Sequence, residues 1–375
     1  MFKTISTKLL IPIAVAAFAL TACDKEEPAA PTSLLSSNET ILRYVPADTP
    51  YVIANVEPLP DELMDKLEPK IDDILQSYQV VLREVVAMKQ AELTDEQRES
   101  EDAKKAAAVI DELTTLLSME GLRGAGIGRD ATAAVYGNGL LPVIRFDLTD
   151  GALFDAAISR LEDKAGHKMA VAAVDGGGYR YADMDQLRVV IAILEKEAVI
   201  TFVPSSFSDA QTASALGLMP PETSIADTGV LDEIAGKYGF TSHYAGFIDI
   251  QKIASTFIDP QAGVNAELLA MMDHDVATVS DVCKAEIREV AAVMPRMVLG
   301  YTAIEVDRMD STMVLELRDD IAAGLSTLTS EVPGLGGDPG GLMAFGMSLD
   351  VKAAREFIEA RIEALEADPF ECEHF

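Results

Sequence analysis

The chain has 375 residues, 62 of them acidic and 30 basic, for a formal charge of −32 at neutral pH, and 49% of its residues are apolar. So large a carboxylate excess repels polyanions at long range, which argues against nucleic acid and anionic lipid head groups as partners. The apolar fraction excludes global disorder, and the absence of tryptophan leaves few stacking surfaces for sugars or single-stranded nucleic acid.

The first 22 residues have the three parts of a secretory signal. Lys3 and Lys8 supply a positive start, Leu9 to Leu20 an apolar run of 12 residues, and Thr21 and Ala22 small residues before Cys23. Twelve apolar residues are short for a membrane span, which takes roughly 20. Leu20-Thr21-Ala22-Cys23 resembles the lipobox of bacterial lipoproteins. The resemblance implies a diacylglycerol thioether on Cys23, cleavage before it, and usually an acyl (palmitate-type) chain on the new amine. Asp24 resembles the residue that retains some lipoproteins in the inner membrane. Residues 23–40, rich in Pro, Ser, Ala and Glu, read as a tether between membrane and globular body.

The first strand is expected over 50–56, "PYVIANV". Just before it, Pro46-Ala47-Asp48-Thr49-Pro50 is similar to the opening of an uncharacterised bacterial family of secreted or membrane-anchored proteins. That resemblance implies alternating strand pairs and helices, and no activity.

Two long helices should follow as a hairpin over 60–119. Leu63, Leu67, Ile71, Ile74, Tyr78, Leu82, Val85 and Met88 recur at spacings of 3 and 4 and define one face of a helix from about Pro60 to Lys89. Pro69 should bend it in its first turns. A second helix is expected from about Asp95 to Met119, opened by a Thr94/Gln97 capping box. Its charged early part reads as a solvated tip or as a projecting contact arm.

From Ala131 onward the pattern changes to hairpins. Turns are expected at Gly137-Asn138-Gly139, at Asp175 to Gly178 and at Glu195 to Glu197. Asp150, Asp249 and Asp350 each follow a strand-like run and precede apolar residues at +4 and +8, the pattern of a helix face behind an N-cap aspartate. They lie about 100 residues apart, consistent with duplicated units or with chance recurrence of a common junction.

The expected fold is therefore α+β: antiparallel sheet built from hairpins, helices packed on one face, and a long N-terminal helical hairpin. The division is 1–22 signal, 23–40 tether, 41–240 first α+β unit and 241–375 second.

Cys283 and Cys372 remain once Cys23 is lipidated. In an oxidising compartment they read as a disulfide, with two free buried thiols as the alternative. A bridge would close a loop of about 90 residues, which stabilises by on the order of 4–5 kcal/mol in the chain-entropy treatment.

No catalytic, cofactor-binding or metal-binding residues are assigned from sequence. "GLRGAGIGRD" follows a helix, where a phosphate loop would follow a strand, and reads as a helix exit. "EVPGLGGDPGG" (331–341) reads as a loop. Asp273-His274-Asp275 is either a cation site or an exposed turn, and His167, His243 and His374 are scattered. The expected function is a lipid-anchored envelope binding or scaffold module with a protein or apolar partner. A lipid or apolar-ligand carrier and an envelope hydrolase with a site assembled from distant residues are the alternatives.

Overall fold

The computed structural model describes Leu35 and residues 40–373, apart from 92–93, 175–176, 261–263, 331 and 333–347. The signal segment, Cys23, Asp24, nearly all of the tether, most of the 331–341 loop and His374 lie outside the described residues.

A 3₁₀ turn over Ile41–Tyr44 leads into β1 (Tyr51–Asn55), whose Val52 and Ala54 are buried. The helical hairpin follows. Its first arm, α1 (Asp61–Ala91), contains Pro69 within the helix. The return arm is interrupted where one helix was expected. It runs as α2 (Asp95–Glu99), α3 (Glu101–Leu116) and α4 (Met119–Gly124). Ser100 and Ser118 cause the breaks. Each adopts an extended conformation and accepts from a backbone amide in the next turn, starting a new helix instead of continuing the old one. The Thr94/Gln97 capping box is formed. The arms are tied by Gln79 Nε2 donating to Leu117 O at 2.6 Å and Met119 N donating to Asp72 Oδ1 at 2.8 Å.

The strands then arrive as hairpins. β2 (Ala133–Asn138) and β3 (Leu141–Asp147) turn at Gly139, whose φ of +57° is the left-handed conformation glycine accepts without steric cost. After α5 (Gly151–Ala165) come β4 (Ala170–Val174), β5 (Gly177–Met184), β6 (Leu187–Ile193) and β7 (Glu197–Pro204). Three short helices follow: α6 (Asp209–Leu216), α7 (Ile225–Thr228) and α8 (Val230–Tyr238). The last third contains β8 (Tyr244–Asp249), α9 (Ile250–Ile258), α10 (Val264–Met271), α11 (Asp281–Val293), β9 (Arg296–Ile304), β10 (Met309–Glu316), α12 (Asp319–Ser326) and α13 (Val351–Ala367).

Among the described residues, the ten strands form one antiparallel sheet, ordered β10-β9-β8-β1-β2-β3-β7-β6-β5-β4. The sheet runs unbroken from the 41–240 stretch into 241–375 through β1, which pairs with β2 on one side and β8 on the other. Helices occupy both faces of this sheet, where one face was expected. On β7, Ala198 packs with Phe154, Ala157 and Ile158 of α5, while its neighbour Val199 belongs to the opposite core with Leu216. Successive strand residues point to opposite faces, so the apolar residues at both positions require cover on both sides.

The three junction aspartates all cap helices. Asp150 accepts from Ala152 N and Leu153 N, Asp249 from Lys252 N, and Asp350 from Lys352 N and Ala353 N. No helix among the described residues is long and apolar enough to cross a membrane.

Candidate ligand-binding cleft

The register of the central strands brings three polar side chains into one diagonal. Tyr136 of β2 sits opposite Val143 of β3, and Arg145 lies two residues further along β3. Arg145 in turn sits opposite Val199 of β7, two residues from Glu197. Steps of two keep a single face, so Tyr136, Arg145 and Glu197 line up across β2–β3–β7 on the side covered by α6.

Arg145 has no solvent exposure, and a buried guanidinium must find charge and acceptors inside the protein. Its Nη1 donates to Glu197 Oε2 at 2.6 Å. Its Nη2 donates to Leu216 O at 3.3 Å and to Gly217 O. Those carbonyls close α6, where Gly217 takes a left-handed C-cap conformation with φ +58°. The last carbonyls of a helix have no intrahelical donor and carry partial negative charge, so the cation is well placed there. The Arg145 guanidinium also stacks on the Tyr44 ring.

A second guanidinium joins from the 3₁₀ turn. Arg43 Nη2 donates to Tyr44 Oη at 2.9 Å and lies 3.8 Å from Glu197 Oε1. Two cations thus share one carboxylate, a local positive excess in a strongly acidic chain.

The Tyr136 hydroxyl stands at the edge of this cluster and is buried without a hydrogen-bond partner of its own. Burial raises the phenol's pKa, and the Arg145 charge beside it opposes that rise. A guanidinium can only donate. Any bond between the two would therefore run from Arg145 to the phenol oxygen. Arg43 Nε and Arg145 Nε are also buried and unpartnered, so the cluster gathers three such atoms.

Tyr136 lines a cleft of about 400 Å³ between the 3₁₀ turn and the end of α6. Its walls are mixed: Pro46, Leu218, Met219, Pro220 and Pro221 supply apolar surface, and Tyr44, Asn138 and Ser214 supply polar groups. Asn138 holds the far side in place, its Nδ2 donating to Ser214 O at 3.1 Å. Its size falls within the range of small-molecule sites. A second concavity of about 440 Å³ lies between Thr149–Ala152 and Ile193–Lys196. There the Asp150 carboxylate is already engaged in capping α5.

Of the residues singled out by sequence, Cys283 and Cys372 are joined as a disulfide with their Cα atoms 4.6 Å apart. Glu286 reinforces the join by accepting from Glu371 N at 2.7 Å and Cys372 N at 2.9 Å. At Asp273-His274-Asp275 the side chains serve separate local structures. His274 Nε2 meets Phe257 O at 2.8 Å, and Asp275 caps a 3₁₀ turn. Among the described residues no three His, Cys, Asp or Glu side chains converge as a metal site.

Sequence reading passed over Arg145, Tyr136 and Tyr44. The available signal was an arginine inside the apolar strand "PVIRFDL", at a position whose alternation with Ile144 and Phe146 points it into a core.

The described residues define a class, a single-sheet α+β protein with a small cleft beside one buried arginine. No family model, curated protein or solved structure matches the chain.

Proposed function

We propose that this chain is a lipid-anchored envelope protein whose globular body is a noncatalytic binding module, with the cleft at Tyr136 as its ligand site. The observation that carries this reading is the cleft itself, a concavity of about 400 Å³ between the 3₁₀ turn and the end of α6, lined by Tyr44, Tyr136, Leu218 and Met219. The charged groups around it are spent on structure: Arg145 closes α6 and stacks on Tyr44, and Glu197 neutralises it. That disposition favours binding over chemistry. The cleft also suits a small molecule better than a diacyl lipid, which favours this reading over a lipid carrier.

Native mass spectrometry of protein gently extracted from envelopes tests the site. A bound small molecule at near-unit stoichiometry, absent when Ala213 on the cleft wall is enlarged to Phe, is expected. Ligand-free protein at every extraction condition would remove the cleft from consideration. The anchor rests on the lipobox resemblance around Cys23 and has its own test. Cys23→Ala should abolish metabolic acyl labelling, and persistent labelling would refute it.

A further inference from the structure

We propose that α13 is a self-association surface, on which a second copy of this chain docks its own α13 in antiparallel fashion. The surface lies on an element that takes no part in the cleft.

α13 has no buried residue. Val351, Ile358, Ile362 and Leu365 recur at spacings of 7, 4 and 3, and all are exposed, from 48% at Leu365 to 76% at Val351. That spacing puts them in one stripe along the helix. The flank on one side of the stripe is already used inside the chain. There Phe357 lies against Gly324 of α12, and Arg361 Nη1 donates to Asp320 Oδ2 at 3.1 Å. The opposite flank carries charged side chains, with Lys352, Arg355, Glu359, Glu363 and Glu366 all exposed. A bare apolar stripe between a packed flank and a charged one has the form of a helix-pairing seam.

The order of those charges identifies the partner. A helix is stabilised by anions in its first turn and cations in its last. Beyond its Asp350 cap, α13 does the reverse. Lys352 and Arg355 stand near its start, and its last turn holds no basic residue, with Glu366 just before Asp368. Its two internal ion pairs, Lys352–Glu356 at 3.6 Å and Arg355–Glu359 at 2.7 Å, run cation first, the weaker order along a helix. Glu363 and Glu366 have no ion pair among the described residues.

An antiparallel neighbour corrects both ends, because its cationic half lies beside the acidic half. A second copy meets that need with the same residues. A two-fold axis at Ile358 sets Val351 against Leu365, Ala354 against Ile362 and Ile358 against itself. It also brings Lys352 and Arg355 of one copy beside Glu366 and Glu363 of the other. Parallel pairing would set like charges together. One helix face is a small interface, so the association is weak and concentration-dependent.

Sedimentation velocity of the full-length protein in density-matched neutral detergent, over a concentration series, is expected to show a reversible monomer–dimer equilibrium. Ile358→Glu puts two carboxylates on the axis and should remove the dimer. The side chain is exposed, so the thermal midpoint of dilute protein should not fall. Arg355→Glu and Glu363→Arg each create like-charge pairs across the seam and should weaken dimerisation about tenfold. Combining them in one chain should restore it, and so should mixing the two single variants, which then pair with each other. A change confined to α13 within one copy would give no such rescue. Wild type that stays monomeric, with the stripe bare or taken by another protein seen as added mass, overturns the proposal. So does a dimer indifferent to Ile358→Glu, or one whose charge variants are not rescued.

Discussion

The guanidinium of Arg145 lies 3.8 Å from the centroid of the Tyr44 ring, so the side chain that closes α6 is also the floor on which the N-terminal 3₁₀ turn rests. The pairing is unequal in a way that mutation can expose. Arg145 is fully buried and has Glu197 as its ion-pair partner, whereas Glu197 is 18% exposed and also has Arg43 nearby. Glu197→Ala strands a buried cation and should destabilise by about 3–5 kcal/mol. The double variant Arg145→Ala/Glu197→Ala should be no less stable than Glu197→Ala alone, because the stranded charge is then gone. Urea unfolding of wild type, both single variants and the double measures the cycle. Additive losses would show that the two side chains act independently.

Much of the fold is legible in local sequence, because its signals are local. Gly139 marks a hairpin by conformation, Thr94 and Gln97 mark a helix start by mutual hydrogen bonding, and the junction aspartates mark three more. The return arm of the helical hairpin departs from the single expected helix because Ser100, inside its charged early part, accepts from the Ala103 amide and starts a new helix. The strand order was beyond reach. β1 is drawn to the sheet centre by pairing with β8, nearly 200 residues later, and no local pattern encodes that. The cleft is hidden for the same reason. Tyr44, Tyr136, Arg145 and Gly217 sit in four separate segments: the register of β2 and β3 aligns Tyr136 with Arg145, and the Arg145 side chain reaches Tyr44 and Gly217. In sequence, Arg145 is one charge among 92 acidic and basic residues; its burial makes it distinctive.

The Cys283–Cys372 bridge closes a long loop around β9, β10, α12 and α13. Cys283→Ser should lower stability by about 2–5 kcal/mol, chiefly by releasing the unfolded chain from that constraint. Glu286→Ala removes only the acceptor for the Glu371 and Cys372 amides and should cost less, about 1–2 kcal/mol. Chemical denaturation under oxidising and reducing conditions separates the two. Reductant should lower the midpoint of Glu286→Ala and leave Cys283→Ser where it is. A wild-type midpoint insensitive to complete reduction would refute the stabilising role.

Acid sensitivity should concentrate at Glu316. It sits directly across the sheet from Arg296, which donates from Nε at 2.7 Å and from Nη2 at 3.1 Å. Tyr238 Oη and Lys237 Nζ add further donations. The Arg296 bonds are the largest influence and, against the opposing effect of burial, hold the carboxyl at about 2 instead of its ordinary 4.5. A carboxyl depressed on folding contributes stability that is fully present above its unfolded pKa and is lost as pH falls through its folded one. The window here runs from about 4.5 down to about 2. Glu316→Gln should therefore be less stable than wild type at neutral pH, with the gap narrowing steadily across that window. A gap independent of pH would show that Arg296 gains nothing from the charge on Glu316.

The three capping aspartates offer a comparison between like bonds in unlike settings. Asp150 and Asp350 each accept from two amides of the following turn, at 2.8 and 3.3 Å and at 2.9 and 3.0 Å respectively. Replacing either by alanine should cost its helix about 0.5–2 kcal/mol. The helices differ in what they hold. α5 buries Phe154, Ala157 and Ile158 against the sheet, so it unfolds only with the core, and Asp150→Ala should lower the global unfolding midpoint. α13 has no buried residue, and Ile358, Ile362 and Leu365 are exposed along it. Asp350→Ala should therefore leave the global midpoint almost unchanged while speeding amide exchange within 351–367. Hydrogen exchange read peptide by peptide, beside urea unfolding on the same samples, distinguishes the cases. A fall in the global midpoint for Asp350→Ala as large as for Asp150→Ala would mean that α13 unfolds together with the core.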